Sequence, residues 1–183
     1  IAGHDALLIK EHGGEIYRLP SYPDSLNIQT TQAIITFTPE GKASGKVFQS
    51  SRLMQYEEAD HFPQLPLNKQ KEYLYADISL NKPGIKDIHI NEYKEANPQL
   101  DIEYTLECDQ YGNRTGNRLF IPVNPFRKKY VPREKERIHD IHINYGFMDI
   151  DTITIRIPEG YKYEALPKPT HIANKFGEFT SST

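Results

Sequence analysis

The feature that most constrains the fold is a strict alternation of apolar and polar side chains. Leu100, Ile102, Tyr104, Leu106 and Cys108 interleave with Asp101, Glu103, Thr105, Glu107 and Asp109. The same period returns where Ile153, Ile155 and Ile157 alternate with Thr152, Thr154 and Arg156. Successive side chains of a strand point to opposite faces, so a period of two describes a strand with one buried and one wetted face. A chain built from such segments has to bury one face of a sheet.

The rest of the sequence fits this pattern. Ala6 to Lys10 and Glu15 to Leu19, joined at Glu11-His12-Gly13-Gly14 and stopped by Pro20, predict a hairpin, and Ser21-Tyr22-Pro23-Asp24-Ser25 reads as a linker after it. A domain boundary is therefore placed between residues 1–20 and 21–183. A long strand over Leu26 to Phe37 turns at Gly41 into a partner over Ala43 to Gln49. The helical part is confined to residues 52–80. There Arg52 to Phe62 approaches helical spacing, and Asn68 is placed to cap a second helix with Leu67, Leu74 and Ile78 on one stripe beside Tyr73 and Ala76. Pro83-Gly84 ends it. Further strands are expected from Ile88 and over Arg118 to Val123, Ile138 to Tyr145, Thr152 to Ile157, Tyr161 to Ala165 and Phe176 to Thr180. The fold class is mainly β: an antiparallel two-sheet β-sandwich with one or two short helices inserted around residues 52–80.

Composition narrows the function classes. With 183 residues, 37% of them hydrophobic and a net charge of −3, the chain has the profile of an ordinary soluble globular domain. No apolar run approaches the roughly 18 residues of a membrane span. The slight acidity argues against a nucleic-acid partner, whose phosphates call for a basic face. Arg127, Lys128 and Lys129, and the group of Arg133, Lys135 and Arg137 interleaved with Glu134 and Glu136, read as a solvated loop rather than an anion site. A single cysteine excludes an internal disulfide. Ile1-Ala2-Gly3-His4 reads as mid-domain sequence, so the chain is expected to be a fragment with any signal peptide upstream.

No combination of side chains makes a convincing reactive centre. The pentapeptide Asp-Ile-His-Ile-Asn occurs at Asp87 to Asn91 and again at Asp140 to Asn144, and reads as two similar strands with isoleucines inward and the histidine outward. His89 and His142 could meet on one sheet face, but a zinc site needs a third ligand that spacing does not supply. Glu58 and His61 have the Glu-x-x-His spacing of di-iron bundles, which require two such pairs on separate helices. They are read as a solvated helical face. Cys108 lies on the apolar side of its strand without an adjacent histidine, as a buried inert thiol would. Asp149 and Asp151 lack the glycine and acidic repeat of a calcium loop. Asn113-Arg114-Thr115 fits a glycosylation acceptor, relevant only in a eukaryotic secretory setting. Twelve tyrosines and eight phenylalanines leave a sugar- or peptide-binding platform open, with Tyr161, Tyr163, Tyr73 and Tyr75 as contributors, although strands favour aromatics for packing alone. No catalytic, cofactor-binding or metal-binding residue is assigned, and no cofactor is expected.

The segment Asp151-Thr152-Ile153-Thr154-Ile155-Arg156-Ile157-Pro158-Glu159-Gly160-Tyr161-Lys162, followed by Leu166-Pro167 and Phe176-Gly177, resembles the C-terminal β-domain of bacterial transglutaminase-like proteins. These are multi-domain envelope proteins in which one β-domain precedes a transglutaminase- or protease-like core and another follows it. The resemblance covers most of residues 21–183, including the Gly41 hairpin and the central helices. It implies that residues 1–20, ending at Leu19-Pro20, are the last strands of the core. The catalytic Cys, His and Asp would then lie upstream. Neither His4-Asp5 nor Cys108 matches the family's catalytic positions. What the resemblance implies is a non-enzymatic accessory domain of a periplasmic, envelope or secreted protein, partnered by the core of its own chain. A carbohydrate- or peptide-binding module using exposed tyrosines is the alternative.

Overall fold

The computed structural model describes residues 2–126, 138, 140 and 143–183. Over the described residues the chain is mainly β, with two short helices, as expected for a sandwich-like fold. Strands β1 (Asp5–Lys10) and β2 (Gly13–Arg18) form a hairpin around the two-residue turn Glu11-His12. The central sheet has five strands: β3 (Ile28–Phe37), β4 (Ala43–Arg52), β5 (Gly84–Tyr93), β6 (Gln99–Cys108) and β9 (Met148–Arg156), in the order β5-β6-β4-β3-β9. Two further hairpins pair β7 (Asn113–Thr115) with β8 (Arg118–Phe120) and β10 (Thr170–Asn174) with β11 (Gly177–Ser181). Helices α1 (Met54–Glu57) and α2 (Leu67–Ala76), with a 3₁₀ turn over Phe62–Gln64, come between β4 and β5.

β6 shows how the alternation becomes packing. Leu100, Ile102, Tyr104, Leu106 and Cys108 are buried, while each residue between them is half-exposed. Its register carries the inner face across to Val47 and Ala43 of β4, and β4 passes it on to Ala33, Ile35 and Phe37 of β3. Tyr56, Phe62, Leu74, Ile78, Tyr111 and Phe126 cover that face from the other side. The edge strand β5 needs a correction to join in. Ile85 and Ile90 are an odd number of residues apart, which in a regular strand would send them to opposite faces. A register shift between Lys86 and His89, with Asp87 at φ 51°, inserts one extra residue and leaves Ile85 opposite Leu106 and Ile90 opposite Ile102, both on the inner face.

Several local expectations change. All named strand pairs among the described residues are antiparallel except β3 with β9, which run parallel, Ala33 beside Ile153 and Ile35 beside Ile155. The helix expected over Arg52 to Phe62 is a single turn followed by i→i+3 turns, Ala59 N–H to Tyr56 O and Phe62 N–H to Ala59 O. The inward residues Tyr56, Ala59 and Phe62 are three apart, and three residues per turn aligns them better than 3.6 does. Pro66, not Asn68, precedes the first turn of α2, and Leu67 on that turn is 59% exposed, leaving Leu74 and Ile78 as the buried stripe. Tyr161 to Ala165 forms no strand; β10 follows at Thr170 instead. The strand expected over Ile138 to Tyr145 falls partly outside the described residues, and Ile138, Asp140 and Ile143 to Tyr145, which are described, are not in a strand.

A buried polar knot ties the sheet to α1. Asn27, 1% exposed, donates from Nδ2 to the Gly146 carbonyl at 2.8 Å and accepts at Oδ1 from the Met54 N–H at 3.4 Å. Its main-chain carbonyl accepts from Met148 N–H at 2.9 Å, and Gln55 Nε2 donates to Asp149 Oδ1 at 2.7 Å. The starts of β3, α1 and β9 are thereby held together. Among the described residues, no helix is long and apolar enough to cross a membrane.

Candidate functional site

Among the described residues, the side chains considered for chemistry do not converge. Cys108 is buried on the inner face of β6, and its Sγ lies 3.6 Å from the Asn81 carbonyl, its hydrogen-bond partner. His89 is exposed on the opposite face of the sheet, beside Glu103 in the register; His142 lies outside the described residues. Because α1 ends at Glu57, Glu58 and His61 stand on turns and not on the helical face expected for them. Glu58 accepts a hydrogen bond from the Tyr145 hydroxyl, and His61 meets the Tyr73 ring edge-on at 5.5 Å between centroids. Asp149 accepts from Gln55, and Asp151 from Asn124 Nδ2 at 2.8 Å. No group of three or more His, Cys, Asp or Glu side chains among the described residues is arranged to hold a metal ion. The basic stretch from Arg127 to Arg137 lies outside the described residues.

The tyrosines divide between core and surface. Burial pushes the Tyr104 and Tyr111 hydroxyls upward in pKa. Burial, and then the hydrogen bond that Tyr56 donates to Glu92 Oε1 at 2.9 Å, raise Tyr56 to about 12. Tyr73 packs against Phe62 with ring centroids 5.2 Å apart, while Tyr75 faces outward. Tyr161 donates to the Pro39 carbonyl at 3.4 Å, leaving Tyr163 as the exposed member of that pair. Asn113, of the glycosylation-like triplet, is exposed on β7. Asp5 accepts from Arg18 Nη1 at 3.1 Å across the first hairpin, and His4, just before β1, accepts at its carbonyl from the Leu19 N–H at 2.9 Å.

The first hairpin is the surface that stands out. Register places Leu7, Ile9 and Ile16 on one of its faces, and Ala6, Leu8 and Tyr17 on the other. Leu7, Ile9 and Ile16 are 65%, 82% and 75% exposed, and Leu8 and Tyr17 are about half exposed. An isolated two-stranded hairpin is marginal in water, and a strand that is apolar on both faces belongs to a sheet covered on both. The unbroken run Ala6-Leu7-Leu8-Ile9 was the sequence signal for this, since a strand with one wetted face would alternate. The hairpin β10–β11 differs: Ile172 and Phe179 face each other on one side, and His171, Glu178 and Thr180 occupy the other.

Residues 117–183 match a family model, described as a Domain of Unknown Function with solved-structure structure (DUF3858). The family description carries no activity, substrate or neighbouring domain. No curated protein and no solved structure matches the chain. The matched segment contains β8 to β11, and its strand β9 completes the sheet made by residues upstream of it through its pairing with β3. Within the segment, Arg118 and Glu164 form a two-pronged ion pair at 2.9 and 2.8 Å.

Proposed function

We propose that this chain is a non-catalytic accessory β-domain of a bacterial transglutaminase-like envelope protein, in which residues 1–20 belong to the sheet of the neighbouring papain-like core and residues 21–183 pack beside that core. The observation that carries the reading is the β1–β2 hairpin, apolar on both faces and exposed on both. Its burial by a neighbouring domain would remove several large apolar side chains from water, each worth about 1.5–3 kcal/mol when fully buried. The resemblance of the Asp151 to Gly177 segment to the C-terminal β-domains of such proteins supports a transglutaminase-like core as that neighbour. Cys108 supports the non-catalytic part of the proposal, because its thiol is buried on the inner face of the sheet, out of reach of substrate. The task assigned to residues 21–183 is to stabilise the core or to guide a protein partner to it.

The test is an assay of the purified chain for hydrolysis and cross-linking of glutamine- and lysine-containing peptides, alongside Cys108→Ala. Neither protein is expected to show activity above buffer. Turnover that disappears in Cys108→Ala would overturn the proposal.

A further inference from the structure

We draw no further inference here: the strongest candidate, the exposed Ile172–Phe179 face of the β10–β11 hairpin, is an unpartnered apolar surface, and nothing in the structure shows what covers it.

Discussion

Single residues show where this sheet tolerates no change. Gly45 lies on β4 between Ile35 and Leu106, and a Cβ added there would come within 2.0 Å of the Ile34 carbonyl oxygen. Backbone cannot retreat as a flexible side chain can, so Gly45→Ala is expected to cost about 1–3 kcal/mol in urea unfolding. Gly177→Ala, where nothing lies within 4 Å of the new methyl, should stay within about 0.5 kcal/mol of the parent. Tyr56 sets an alkaline limit. Its folded pKa of about 12 lies above the ordinary 10.0, so the neutral phenol is favoured in the fold, chiefly by burial. Between these values the unfolded chain has released a proton that the folded chain still holds, and stability falls as pH rises. The contribution is complete below pH 10 and lost on passing about pH 12. Tyr56→Phe should therefore flatten the decline of stability measured by denaturant unfolding from pH 9.5 upward, about in that window; an unchanged slope would remove Tyr56 from the account.

At the scale of elements, legibility follows the number of physical demands on a segment. The alternation in β6 was readable because one face meets the core and the other meets water, and its pattern needs no knowledge of neighbours. The partner of β9 was not readable. Ile153 and Ile155 announce a buried face but say nothing of which strand lies alongside, and the parallel pairing with β3 joins residues far apart in the chain. The turns after α1 misled for a different reason: a spacing of three suits both a helix and a 3₁₀ path over so short a stretch. The polar knot at Asn27 had no periodic signal at all, because its partners Gly146, Met54 and Met148 come from three separate segments. The first hairpin was legible as strands and its turn, and its unbroken apolar run held the clue to its exposure. Since Leu7 and Ile16 leave so much surface in water, changing both to serine should shift the unfolding midpoint of the chain by less than about 0.5 kcal/mol equivalent. Joined to the proposed core, the chain carrying the same pair of changes should be less stable or more loosely held, read as increased proteolysis at the Ser21 to Ser25 linker. A large loss of stability in the chain by itself would mean that the hairpin is already packed.

The whole molecule combines one well-covered sheet with surfaces that are not covered. Helices and loops cover the inner face over β3, β4 and β6, while Ile153 and Ile155 of the edge strand β9, beside β3, are only partly buried. The segment matched as a domain of unknown function contributes that strand, so residues 117–183 depend on the preceding residues for their main hydrogen-bonded partner. Chemistry is dispersed: Cys108 faces inward, His89 outward, and Glu58 and His61 engage different tyrosines. Under the proposed function, the β1–β2 hairpin is the point at which the chain would meet its neighbour. Amide hydrogen exchange over Asp5 to Arg18 tests the proposal most directly, measured on the chain alone and on the chain joined to the proposed transglutaminase-like core. Rapid exchange of the hairpin is expected in the chain alone, while β4 and β6 stay protected, and strong protection of Asp5 to Arg18 is expected once the proposed core is joined. Equally rapid exchange of the hairpin in both would contradict it.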